Sequence, residues 1–351
     1  MFAKRLQLSF FLLLVLSFPA FAQETASSAG QPTARRRPWQ FYWENDIGVL
    51  TKGTDEYYTN GLRLSIGSMA AWPSTFRDKY CGSRFNPCRR MITETGDPRA
   101  FAAYAFTHQF WTPQDKQEPR PQPLDRPWAG YMYGSVNVVV EDDTGEKEQH
   151  VAELQVGILG QGAGARMVQT EWHKLIGSRK PLGWQNQLKN EPVINLIYAQ
   201  NRRYRRGNST NADLIVTPGA VLGTLMTYPS AAVTARLGRH ITGFPAMPIA
   251  PAAVGTTRER SSWEFYFHAG AEGRLVLHNA LLDGGFFGDG PSVDRRIGVY
   301  DLRGGFSVRF LSNWRVTGTI IRRSEEFTPP PGRAKGAHVY NSLVVAYEPQ
   351  R

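Results

Sequence analysis

The main constraint on this fold is a single apolar segment at the N-terminus. The basic pair Lys4-Arg5 precedes the apolar residues 6–18 and an Ala20-Phe21-Ala22 cleavage pattern, which predicts a secretory signal peptide over residues 1–22. The apolar stretch 244–255 carries a proline at every third position, so it is not expected to form a helix. The exported chain should therefore be soluble outside the cytoplasm or cross a membrane as a β-barrel.

Alternating apolar and polar residues recur in segments of about ten, as in the strands of transmembrane barrels. Trp39-Gln40-Phe41-Tyr42-Trp43-Glu44 is one example. The twelve candidate strands are 39–46, 57–69, 101–111, 130–141, 149–160, 192–204, 212–223, 229–239, 261–282, 296–310, 313–324 and 337–347. A soluble β-sandwich alternates in the same way, but an even number of strands and aromatic residues near their ends favour a barrel.

We therefore predict an all-β fold: a twelve-stranded antiparallel transmembrane β-barrel over residues 39–351, after a periplasmic linker at 23–38. Signal-peptide removal lowers the formal charge from +11 to about +9. With both termini in the periplasm, the predicted outer segments are 47–57, 112–129, 161–191, 283–295 and 325–336. Residues 163–177 carry an apolar stripe at helical spacing, which predicts an outer-loop helix over or in the barrel mouth.

Two predicted periplasmic segments, 70–100 and 240–260, are long for such turns. The first contains both cysteines, Cys81 and Cys88, which are expected to form one local disulfide in an oxidising compartment. Two cysteines are too few for a disulfide-stapled mini-protein or a four-cysteine zinc site. A content of 20% charged and 12% aromatic residues excludes a disordered chain.

Polar residues converge at the predicted outer rim. Asn45 and Asp46 end the first strand, Thr59 lies near the start of the second, Lys116 follows the third, and His173 lies on the helix. Strand parity places Asp46 and Thr59 on the inward face. Asn and Asp at strand ends are commonly turn formers, and a lone histidine on a helix is commonly a surface residue. The convergence alone therefore does not establish chemistry.

Five motifs give the sequence a family resemblance. They are Glu44-Asn45-Asp46, residues 55–61 (DEYYTNG), 125–130 (DRPWAG), 169–177 (QTEWHKLIG) and 183–188 (GWQNQL). Together they resemble the outer-membrane lipid A 3′-O-deacylase family, most densely over residues 39–204. The resemblance implies a twelve-stranded barrel in the Gram-negative outer membrane with its active site on the extracellular side. It also implies calcium-dependent hydrolysis of the ester-linked 3′ acyloxyacyl chain of lipid A.

The resemblance also assigns roles by position. His173 corresponds to a general base that activates water, with Asn45 and Lys116 as further catalytic residues, Lys116 stabilising negative charge. Asp46 and Thr59 correspond to the metal site, where Ca²⁺ would polarise the ester carbonyl. A basic mouth suits phosphate-bearing lipid A. The expected partners are lipopolysaccharide and outer-membrane lipids, and no nucleic-acid partner is expected; the oligomeric state is left open.

One position departs from the family pattern. Six residues after the histidine the family has an acidic metal ligand, whereas this chain has Arg179. Glu171 or Glu191 are candidates to replace it. The departure keeps open a catalytically silent barrel that binds lipopolysaccharide. A small channel is a further alternative, although bulky inward residues such as Tyr42 and Arg63 argue for a filled lumen.

Overall fold

The computed structural model describes residues 37–46, 57–67, 98–207, 209–245, 261–288, 290–329 and 337–349. The predicted signal peptide, most of the predicted linker, and Cys81 and Cys88 lie outside these residues and remain predictions. The strands are β1 Trp39–Asn45, β2 Tyr57–Gly67, β3 Arg99–Thr112, β4 Ala129–Glu141, β5 Glu148–Leu159, β6 Glu191–Tyr204, β7 Ala212–Gly223, β8 Met226–Arg239, β9 Glu264–Leu275, β10 His278–Asn279, β11 Gly298–Phe310, β12 Trp314–Arg323 and β13 His338–Tyr347. The α-helices are α1 Ala165–Ile176 and α2 Ala280–Asp283. In the described part of the chain, no helix is long and apolar enough to span a membrane.

Twelve long strands form a closed antiparallel barrel. Each pairs with its neighbours along the chain, and β1 pairs with β13 from Trp39↔Tyr347 to Asn45↔Asn341, which closes the sheet. The two-residue β10 pairs with the end of β8 and adds no wall strand. The predicted strand count is confirmed. The strand predicted over 261–282 was too long, because β9 ends at Leu275 and the chain continues through β10 into α2.

Lumen polarity distinguishes a barrel from a sandwich. On β2, Leu64 and Ile66 face outward and are 39% and 44% exposed, whereas the intervening Arg63 and Ser65 are buried. Arg63 Nη1 lies 2.8 Å from Glu153 Oε1, with both side chains inaccessible. Buried charges of this kind require partners. An apolar outer wall around a lumen filled with ion pairs is the reverse of a sandwich, whose core is apolar.

The described start of the long connection after β8 enters the end of the barrel. Residues 241–245 fold into the barrel end opposite α1, where Ile241 is fully buried. The wall binds their backbone: Arg203 Nη2 donates to Ile241 O at 3.0 Å, and Thr242 N donates to Glu264 Oε2 at 3.0 Å. Arg236 Nη2 also donates to Gly243 O at 2.8 Å. This segment is therefore a plug rather than a simple turn.

Helix α1 begins after Gly164 and ends before Gly177, and both glycines have left-handed backbone (φ 72° and 68°). The predicted helix is present, but the apolar stripe that predicted it is not its buried face. Its buried residues are Ala165, Gln169 and His173, spaced four apart, whereas Met167 and Leu175 are 66% and 51% exposed.

Candidate functional site

The outer surface of the wall at the α1 end is covered rather than exposed. Along the outward face of β3, Tyr104 and Phe106 are 61% and 56% exposed, but the next two outward residues, His108 and Phe110, are buried. His108 Nε2 lies 2.9 Å from Ala163 O, in the turn that leads into α1. The segment carrying α1 therefore packs on the outside of the barrel wall. The prediction that the helix lies over or in the mouth is wrong.

A second set of contacts holds α1 in this place. Phe110, Trp128, Ala165 and Trp184 form a buried cluster, against which Val168 packs. Gly130 lies beside Phe110 on the outward face of β4, and a Cβ at this position would lie 2.7 Å from Ala165 Cβ. Strand, loop and helix thus pack against one another outside the lumen. We call this junction between the wall and the buried face of α1 the crevice.

His173 lies on the buried face of α1 and is 2% exposed. Its Nδ1 lies 2.5 Å from the backbone oxygen of Arg179. A carbonyl oxygen can only accept, so Nδ1 carries the proton, and in the neutral ring the lone pair is on Nε2. This tautomer is the one a general base needs. The carbonyl that fixes it belongs to the residue at which the chain departs from the family pattern.

The ends of β1 and β2 bring three predicted site residues together. Asn45 Nδ2 donates to Thr59 O at 2.9 Å and to Asn60 Oδ1 at 3.3 Å. Asp46 follows Asn45 directly and is 1% exposed. A β-bulge between Tyr58 and Asn60 interrupts the two-residue alternation of side chains at Thr59. The inward orientation predicted for Thr59 from strand parity therefore does not apply. Thr59 Oγ1 instead lies 2.8 Å from Thr112 Oγ1.

Lys116 belongs to a loop tied to the segment that follows α1. Leu182 N donates to Lys116 O at 2.9 Å, and Gln117 Nε2 donates to Lys180 O at 3.2 Å. The Lys116 side chain is half-buried. These bonds join the Lys116 loop to the segment that follows α1, and the role of Lys116 remains a prediction.

The two candidate replacements for an acidic ligand at position 179 are engaged elsewhere. Glu171 is exposed and pairs with Lys174 at 2.6 Å. The carboxylate of Glu191 accepts from the backbone N–H groups of Phe286 and Phe287, at 2.7 and 3.3 Å. Within the described ranges, no group of three or more His, Cys, Asp or Glu residues could hold a metal ion. Among the described residues at the ends of β1 and β2, the candidate donors for calcium are the carboxylate of Asp46 and amide, hydroxyl and carbonyl oxygens.

One buried hydrogen-bonded pair, Trp184 and Gln169, was not predicted from the sequence. Trp184 Nε1 donates to Gln169 Oε1 at 2.7 Å, and both side chains are 1% exposed. The available signal was the spacing of Gln169, which lies one helical turn before His173. A search for apolar residues at helical spacing cannot identify this buried face, because two of its residues are a glutamine and a histidine.

A closed barrel with an apolar outer wall is the fold of a β-barrel membrane protein, and the buried histidine between wall and helix marks a candidate site on its outward face. A family model described as outer membrane protein LpxR matches residues 8–348. The chain therefore belongs to the LpxR family of outer-membrane proteins.

Comparison with solved structures supports the same fold. LpxR from Salmonella typhimurium is 18% identical, with a TM-score of 0.66 over 89% of this chain and 99% of that one. The β domain of the Bordetella autotransporter BrkA (8% identity, TM-score 0.42, 89% and 98% covered) is less similar. So is the translocator domain of NalP from Neisseria meningitidis (10% identity, TM-score 0.41, 89% and 87% covered). No curated protein matches the sequence.

Proposed function

We propose that this protein is an outer-membrane esterase that removes the 3′-linked acyloxyacyl chain of lipid A in the crevice between α1 and the barrel wall. The observation that carries the proposal is the buried His173, whose Nδ1 is bound by the Arg179 carbonyl. A fixed tautomer with the basic nitrogen on the other side of the ring prepares the residue for proton transfer. Family membership supplies the substrate class.

In the proposed reaction, His173 Nε2 takes a proton from a water molecule as its oxygen bonds to the ester carbonyl carbon. The carbonyl π electrons move onto oxygen and form a tetrahedral oxyanion. When the oxyanion collapses, the bond to the sugar oxygen breaks and His173 returns the proton to that oxygen. The products are a free acyloxyacyl acid and a lipid A with a free 3′-hydroxyl group.

The position of the crevice suits a lipid substrate. It lies on the outward face of the wall, next to the exposed apolar residues Leu64, Tyr104 and Phe106, so lipid can approach from the bilayer rather than through the lumen. The segment around α1 also carries the exposed cations Arg166, Lys180 and Lys189. Cations beside an apolar surface favour an anionic glycolipid. In this proposal the α1 end of the barrel faces the cell exterior, where lipid A resides.

Calcium is part of the proposal, with a sparse ligand set. Asp46, the Asn45 amide oxygen, the Thr59 hydroxyl and nearby carbonyl oxygens would hold it, since calcium accepts neutral oxygen ligands alongside carboxylates. When bound, calcium would polarise the ester carbonyl. A site with a single carboxylate is expected to be weak, because affinity rises with ligand charge. Lys116 at the crevice edge would stabilise negative charge.

The second candidate is a silent barrel that binds lipopolysaccharide without turnover, and the Arg179 departure favours it. Mass spectrometry of lipid A incubated with detergent-solubilised protein, with calcium or with chelator, separates the two. Loss of one acyloxyacyl unit with calcium supports the esterase. Unchanged lipid A from folded protein that still binds lipopolysaccharide contradicts the esterase and favours the silent barrel.

A further inference from the structure

Gln169 lies on the same buried face of α1 as His173, one helical turn earlier. Residues four apart on a helix are neighbours on its surface. The side chain is 1% exposed, and Trp184, which binds it, is also 1% exposed. Their hydrogen bond runs from Trp184 Nε1 to Gln169 Oε1 at 2.7 Å. The Gln169 amide is therefore held inside the crevice rather than displayed on the helix surface.

The chemistry of the pair fixes which way the amide points. An indole N–H can donate but cannot accept, so it selects the oxygen of the carboxamide. The NH₂ group is then directed away from Trp184. Among the described residues this Nε2 is buried and has no hydrogen-bond partner.

Burying a donor without an acceptor is unfavourable, and native proteins satisfy most such groups. A glutamine needed only to bind Trp184 would use its oxygen alone, and a donor-free side chain could do the same without the penalty. A buried donor one turn from a general base suits an acceptor that arrives with the substrate. In ester hydrolysis that acceptor is the carbonyl oxygen, which becomes negatively charged in the transition state.

We propose that the Gln169 side-chain N–H donates a hydrogen bond to the oxyanion formed during ester hydrolysis, and that Trp184 is the positioning residue that orients this amide. The proposal rests on the proposed esterase function and adds a catalytic residue to it. The proposal is consistent with a metal site that has few charged ligands, because a hydrogen-bond donor of the protein stabilises the oxyanion whatever the affinity for the metal. It also gives the buried Trp184 indole N–H a role beyond packing.

The test compares Gln169→Glu and Gln169→Met with the parent protein on lipid A. The Glu variant keeps the shape and the acceptor for Trp184 but loses the NH₂, whereas the Met variant loses both polar atoms. Removing one oxyanion donor typically lowers kcat about 10²–10³-fold. We expect a loss of this size in both variants, with KM within about twofold. Trp184→Phe should lower kcat by a smaller factor at unchanged KM. The matched control is Gln161→Met, at an exposed glutamine next to the helix, and should behave as the parent.

A second readout separates catalysis from structure. A phosphonate that mimics the tetrahedral intermediate should bind Gln169→Met more weakly, by about the factor lost in kcat/KM. A non-hydrolysable ether-linked lipid A should bind both proteins equally. Heat-modifiable gel mobility confirms that each variant is a folded barrel.

The possible failures are distinguishable. An active parent with unchanged kcat in both Gln169 variants overturns the role of Gln169 and leaves the esterase intact. A raised KM at unchanged kcat also overturns it, because it indicates ordinary substrate binding. A folded parent that cleaves no lipid A refutes the proposed function and the role of Gln169 with it.

Discussion

A Cβ at position 130 would lie 2.7 Å from the Cβ of Ala165, a separation that packed proteins do not tolerate. Gly130 does not have left-handed backbone, so the requirement for glycine is one of space. The contact marks where α1 rests on the outward face of β4. The distance between the wall and the helix that carries His173 depends on this glycine.

Replacing Gly130 with Val should therefore lift α1 from the wall and abolish deacylation, while the barrel stays folded. The matched control is Gly134→Val, on the same face of the same strand, where an added Cβ would meet nothing within 4 Å. Lipid A turnover and heat-modifiable mobility are the measurements. Equal activity in the two variants would contradict a site between α1 and the wall.

Arg179→Glu should restore an acidic ligand without disturbing the base. The residue is exposed, and its backbone oxygen, which holds His173 Nδ1, is retained in the variant. Adding a carboxylate strengthens calcium sites, so half-maximal activity should require about tenfold less calcium, equivalent to about 1.4 kcal/mol of binding. Arg179→Gln is the neutral control. The same calcium dependence in both variants would exclude position 179 from the metal site.

Acid stability should depend on an ion pair across the α1 end of the barrel. Arg126 Nη1 lies 3.0 Å from Glu326 Oε2, and both residues are buried. Burial raises the pKa of Glu326, but Arg126 and Arg323 outweigh it and lower the pKa from 4.5 to about 2. Burial lowers the pKa of Arg126, yet a guanidinium keeps its proton well above neutral pH.

Because the folded-state pKa of Glu326 is depressed, its stabilisation is fully present above about pH 4.5 and is lost as the pH falls toward 2. Arg126→Met should weaken this dependence, because Arg323 still lies 3.6 Å from Glu326, and should cost about 3–5 kcal/mol at neutral pH by leaving a buried carboxylate poorly compensated. Urea unfolding in micelles at several pH values measures both effects. An unchanged pH profile would show that the pair does not contribute.

The plug of residues 241–245 predicts that the protein does not conduct ions. Its backbone bonds to Arg203, Arg236 and Glu264 close the barrel end opposite α1. Planar bilayers containing the parent protein should be silent, and deletion of residues 241–245 should introduce conductance. Regular single-channel steps from the parent protein would contradict a plugged lumen and revive the channel alternative.

The barrel could be predicted because strand alternation is a local property. Outward Leu64 and inward Arg63 can be assigned from neighbouring residues, as can the bounds of most strands. The position of α1 could not be assigned in this way. Its buried face carries Gln169 and His173, so a rule that seeks an apolar stripe selects the exposed Met167 and Leu175 instead.

The nearness of Asn45 and Thr59 could be predicted from topology, but the detailed geometry of these two residues could not. Strand order brings Asn45 near Thr59, but the bulge that reorients Thr59 depends on pairing with β3. The contact between His173 and Arg179 is made by a backbone carbonyl, which is independent of side-chain identity. The plug at residues 241–245 could not be predicted either, because its partners Arg203, Arg236 and Glu264 come from three different strands.

In the proposed function, water activated at His173 hydrolyses the ester. The most direct measurement is the mass of the fatty acid released from lipid A in H₂¹⁸O, for the parent protein and for His173→Ala. We expect a free acyloxyacyl acid with one ¹⁸O in its carboxyl group from the parent, and no release from a correctly folded His173→Ala barrel. Equal release from both proteins, or an acid without ¹⁸O, would contradict it.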